Sequence, residues 1–140
     1  REIAKVVAAK NGRWYGLDLG NEQHSGQALL GNVTDVSAIK FDRLGLCTGL
    51  PSPYVQEPAL LEPPPVDADP LSCVDLTLRE EQSPVVNQQV AALAAHYACQ
   101  FLVRRELTQM ATTFTLEPAV SRSVQLTRAT ISATAQNPAR

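Results

Sequence analysis

The chain lacks a strong charge of either sign. Twelve Lys and Arg against fourteen Asp and Glu leave a formal net charge of −2. This excludes a nucleic-acid backbone reader or a polybasic membrane binder, both of which need a cationic surface. Long hydrophobic runs are missing too. No apolar stretch approaches a membrane span, and no basic region followed by an apolar core opens the chain, so the expected location is the cytoplasm. The three cysteines, Cys47, Cys73 and Cys99, lie far apart and form no CxxC pair, which argues against a disulfide framework and a zinc knuckle. Phosphate cradles are absent as well: there is no GxGxxG behind a strand and no GxxxxGK[ST]. No GxSxG elbow is present, and the serines lack a nearby His.

What remains is an ordinary apolar share of 44% in 140 residues, enough for one compact domain and too much for wholesale disorder. Residues 1–10 place Ile3, Val6 and Val7 opposite Lys5 and Lys10, the end of an amphipathic helix stopped by Asn11-Gly12. Because Arg1 already sits inside the pattern, the element is expected to begin upstream. Trp14 to Leu19 and residues 26–33 read as two strands, joined by a tight return across Gly20 to Ser25.

Seven of the ten prolines then crowd into residues 51–70, where no helix or central strand is expected to run through. Residues 83–105 form the clearest element, with Ser83 as N-cap and Pro84 at the first helical position. Val86, Val90, Leu93, Tyr97 and Phe101 recur at helical spacing, and Arg104 and Arg105 close it where the dipole favours cations. Strands are expected over Thr112 to Leu116 and Ser123 to Ser132, with a frayed tail over 133–140. The resulting division is 1–50, a helix end plus a strand pair; 51–82, a crossover; and 83–132, the long helix and last strands. This order predicts an α/β domain with a mixed sheet, more like the second half of a larger sheet than a closed unit.

Few side chains carry chemistry. His24 falls in a polar turn and reads as solvated; His96 flanks the apolar stripe and reads as partly buried and hydrogen-bonded. Cys99 reads as a small buried hydrophobe, and Cys47, in LGLCTG, has no evident partner. Cys73 differs, because it follows the proline-rich segment on a connection, ten residues before the helix start. A thiolate there could be activated by a helix N-terminus or by Arg79, although an inert loop thiol is the simpler reading. Asp67, Asp69, Asp75, Glu80 and Glu81 surround it without metal-ligand spacing.

Three stretches taken together are more specific: YGLDLGNEQHSGQALLGNV (15–33), DPLSCVDLTLREEQSPVVNQQVAALAAHYACQFL (69–102) and TTFTLEPAVSRSVQL (112–126). They resemble the C-terminal half of ThiF/MoeB-type proteins, the ubiquitin-activating-enzyme-like adenylyltransferases, and within them the ThiF family of the bacterial PRTRC system. The shared features are the LGN turn, the SGQ strand, the "SC" after a crossover, and a helix beginning near Asn87. The resemblance implies the second half of a Rossmann-like fold and ATP with magnesium as cofactors, bound mainly by an N-terminal half. It also implies activation of the C-terminus of a ubiquitin-like or sulfur-carrier protein, and a homodimer. Cys73 matches the family cysteine that accepts the acyl group, and the proline-rich stretch would be the crossover loop. The family's ATP-contacting residues and zinc-binding CxxC pairs have no counterpart here, so adenylation by this chain alone is not expected. The alternatives are a non-catalytic module that docks a ubiquitin-like tail, and a structural subunit that completes a partner's sheet.

Overall fold

The computed structural model describes residues 14–62 and 83–136. The expected N-terminal helix end, the tail from residue 137, and Cys73 with Arg79 and the five surrounding carboxylates lie outside the described residues.

Four strands form one sheet in the order β1-β2-β3-β4. They are β1 (Gly16–Asn21), β2 (Ser25–Gly31), β3 (Gln109–Leu116) and β4 (Ala119–Gln125). Every neighbouring pair is antiparallel, which corrects the expected mixed sheet. The connections account for two of the three pairs. Only Glu22, Gln23 and His24 separate β1 from β2, and only Glu117 and Pro118 separate β3 from β4, too few residues for anything but a hairpin. Parallel pairing survives as one isolated bridge, Val33 to Pro51.

The proline-rich region also departs from expectation over its described part. Pro53–Gln56 forms a short helix, α1, and Pro58–Leu61 a 3-10 turn, each with proline in its first turn. Proline forbids continuation of a helix through itself but suits the first position, whose N–H would be unbonded anyway.

The long helix α2 (Pro84–Ala98) begins at Ser83 and Pro84 as expected, and continues as a π-helical stretch, Cys99–Arg104. Arg105 then closes it in the left-handed region at φ 55°. Alternation along the strands turns Ala28, Leu30, Met110 and Phe114 toward this helix. Val86, Val90 and Phe114 make one cluster beneath its first half. Tyr97 joins Ala28, Leu30 and Met110 in a second, which Ile39, Leu50 and Ile131 complete. Gly26 explains how closely helix and sheet approach: a Cβ there would lie 2.7 Å from both Phe114 and Val90. The buried Tyr97 hydroxyl is bonded to Thr112 Oγ1 at 3.0 Å, and Thr112 in turn to Ser123 at 3.0 Å.

The last expected strand divides in two. β4 ends at Gln125, and Arg128–Gln136 is a helix, α3, not strand and frayed tail. Thr127 starts it: its Oγ1 accepts from the Thr130 backbone N–H, and the Thr130 hydroxyl accepts from the Thr127 N–H. Such reciprocal capping satisfies donors that a helix start leaves free. Alternation around Val124 and Leu126 mimics a strand beyond this point, while Ile131 is in fact the buried residue of a helix.

Candidate functional site

The hairpin joining β1 to β2 is built tightly. The Glu22 N–H donates to the Ser25 carbonyl at 2.8 Å, and the Ser25 hydroxyl donates to the Glu22 carboxylate at 2.7 Å. Immediately before the turn, Asn21 donates its side-chain amide to Oδ1 of Asn87, which closes the first turn of α2. This bond ties the LGN turn to the start of the long helix, across 66 residues of sequence.

Beside it lies a cleft of about 530 Å³. That volume is within the range of a small-ligand or peptide-end site. Gly20, Asn21, Gly26 and Gln27 form its hairpin wall, Thr113 and Phe114 its β3 wall, and Glu57, Ala59 and Leu60 the side opposite. Gly20 leaves backbone exposed there, and a Cβ at that position would press on Gln27 at 3.0 Å. Gln27 pairs with Gly20 on one side and Thr113 on the other, so alternation turns its amide and the Thr113 hydroxyl to the same face. Amides, hydroxyls and bare backbone share the lining with apolar groups, and the charged groups among the described residues are the carboxylates Glu22 and Glu57.

The chemistry follows from that inventory. Amides and hydroxyls both donate and accept, which suits the backbone of an extended, uncharged chain segment. Among the described residues no Lys or Arg lines the cleft, and its two carboxylates oppose a triphosphate. Among the described residues no group of three or more His, Cys, Asp or Glu could hold a metal.

Five other groups in the fold carry perturbed acidities. Burial raises the Asp18 carboxyl above its usual pKa, and burial reinforced by Asp18 raises Tyr54. Burial likewise raises Tyr97, against the opposing effect of its Thr112 bond, and raises Tyr15, which also faces Cys47. Asp35 moves the other way, lowered by its bonds from the Ser37 hydroxyl and backbone N–H.

The remaining expected residues do not assemble into a site. His24 is in the turn and exposed, 3.8 Å from Glu117, as a solvated turn histidine should be. His96 and Cys99 are exposed, against expectation. The helical wheel supplies the reason: Cys99 is two residues past buried Tyr97, about 200° round the helix, and His96 is about 100° to its side. Cys47 is half-buried and carries a free thiol. Among the described residues no helix is long and apolar enough to cross a membrane.

Comparison with protein-family models, curated proteins and solved structures finds no match.

Proposed function

We propose that the chain is the carrier-docking half of a cytoplasmic ThiF/MoeB-type adenylyltransferase, with the fold of that family's C-terminal, Rossmann-like half. In this reading the cleft beside the β1–β2 hairpin receives the extended C-terminal tail of a ubiquitin-like or sulfur-carrier protein. The observation that carries it is the cleft's lining, which draws Gly20, Asn21 and Gln27 from the first stretch of the resemblance and Thr113 and Phe114 from the third, while the Asn21–Asn87 bond ties the second stretch to the same hairpin. The lining agrees with the substrate class. Gly20 presents bare backbone to the cleft, and Gln27, Ser25 and Thr113 supply the partners that a glycine-rich tail lacks in its own side chains. ATP and magnesium would be held elsewhere, since two carboxylates in the cleft oppose a phosphate chain. The enzyme would work as a homodimer.

Cys73 is the acyl acceptor in this proposal. Its thiolate attacks the activated carbonyl of the tail, a C–S bond forms, and AMP leaves with the electron pair of the broken C–O bond. A synthetic peptidyl adenylate ending in Gly-Gly tests the step without ATP. The expected product is one hydroxylamine-labile peptide adduct on Cys73, none on Cys73→Ser, and a Cys73 thiol pKa below the usual value of about 8.5. Equal labelling of Cys47 and Cys99, or an adduct undiminished in the serine variant, contradicts it. The absence of a cation among the described residues of the cleft also favours a second reading: a module that docks the tail and transfers nothing. That reading expects peptide binding with no adduct at all.

A further inference from the structure

Strand β4 is exposed at each of its seven residues, AVSRSVQ. Its inner side pairs with β3 from Gln109–Gln125 to Leu116–Ala119, and among the described residues nothing pairs with its outer side. Such an edge presents a row of free N–H and C=O groups, which proteins usually blunt with charges, prolines or bulges. Here the protection is thin. Val120 and Val124 are 42% and 40% exposed, Arg122 is the one charge, and the register irregularity falls at Gln109/Ala111, beyond the middle of β4.

The sequence of that edge says what fits it. From Val120 to Val124 it reads V-S-R-S-V, the same in both directions. Antiparallel pairing with a second copy, about a two-fold axis through Arg122, sets each Val120 against the partner's Val124, and each Ser121 against the partner's Ser123. Ala119 meets the partner's Gln125. Valines meet on one face and hydroxyls on the other, the self-complementarity that an isologous interface requires. Val120 and Arg122 also border a shallow groove of about 290 Å³ with Thr113, Phe114 and Thr115, so the apolar row continues onto β3. One pairing is unfavourable: the two Arg122 side chains oppose each other on the axis, softened by their reach into solvent. Among the described residues no carboxylate pairs with Arg122 to neutralise it.

We infer that two copies of this chain join β4 to β4 across a two-fold axis at Arg122, fusing two four-stranded sheets into one of eight strands. This is independent of what the cleft binds, and it places the dimer contact on the sheet edge and not on helix α2.

Sedimentation equilibrium over a concentration series tests it. The mass is expected to rise with concentration from 15.1 kDa toward twice that value. Val124→Lys, at an exposed position, is expected to leave a monomer with an unchanged circular-dichroism spectrum. Arg122→Thr, which removes the opposed charges, is expected to tighten the dimer roughly two- to fivefold, and added salt to tighten the unsubstituted dimer in the same direction. Three results overturn the inference: a monomer at every concentration, a dimer that Val124→Lys leaves intact, or a dimer that Arg122→Thr weakens. The last would mean that Arg122 meets a carboxylate, and so that the edge takes a different partner or register. Should Val124→Lys fail to fold, the sign of the Arg122→Thr and salt effects still decides.

Discussion

The two edges of this sheet are made from similar hairpins and end up in opposite conditions. β1 is half-buried over all but Leu19, whereas β4 is exposed throughout. The difference comes from what the chain lays beside each. Helix α2 packs on β1 and β2, and α1 and its flanks close in on the same two strands. Glycine makes that closeness possible, because a Cβ on Gly31 would sit 1.8 Å from the Pro51 carbonyl oxygen. Gln56 seals the junction by donating its amide to the carbonyls of Leu30 at 3.0 Å and Pro51 at 2.7 Å. No described element closes on β4 in that way. A sheet edge is therefore covered or open according to its neighbours' geometry, and the strand's own propensity is a poor guide to which.

The sharpest way to break the comparison is at Gly31. Gly31→Ala places a methyl group against backbone that cannot rotate away, so a loss of about 3 kcal/mol or more is expected in urea unfolding. Gly26→Ala meets the side chains of Phe114 and Val90, which can give slightly, and about 2 kcal/mol is expected by the same measurement. Tyr97→Phe removes a buried hydroxyl and strands Thr112 with fewer partners, at about 1 kcal/mol. On the exposed edge, Val120→Thr is expected to change monomer stability by less than about 0.5 kcal/mol. A large loss at Val120, or none at Gly31, would erase the contrast between the edges.

A subtler test uses pH on the covered side. Burial raises the Asp18 carboxyl above its ordinary 3.8, so the fold holds that proton more tightly than the unfolded chain does. This residue's contribution therefore favours folding below the unfolded pKa and declines as pH rises through the folded one. Asp18→Asn is expected to stabilise at neutral pH and to lose that advantage in acid below 3.8. Thermal melts across a pH series check the sign, and a variant advantage that grows in acid would contradict the burial argument.

Much of the fold was legible because local signals and tertiary packing agree there. Ser83-Pro84 marks a helix start in any context, and Gly20-Asn21 a strand end, so α2 and the first hairpin follow from sequence. Strand direction was not legible, since alternation says nothing about which neighbour a strand pairs with. The 123–132 region misled for a related reason: Val124 and Leu126 fit a strand, and Thr127 and Thr130 announce a helix only once their mutual bonds are seen. Cys99 needed its phase counted against Tyr97 and not against the alanines around it. Of the cleft, Gly20, Asn21 and Thr113 stood in the stretches that suggested a family. Glu57 and Leu60 did not, because no spacing rule links a turn at 57–60 to the first hairpin or to a strand at 113.

In the proposed function the covered edge, not the open one, carries the tail-binding site. The most direct measurement is an amide-resolved NMR titration of the protein with a synthetic peptide ending in Gly-Gly-amide. Shifts concentrated at Gly20, Asn21, Gly26, Gln27 and Thr113, with β4 unmoved, are the predicted result. Shifts running along Ala119 to Gln125 with the hairpin silent, or no shifts at saturating peptide, would contradict it.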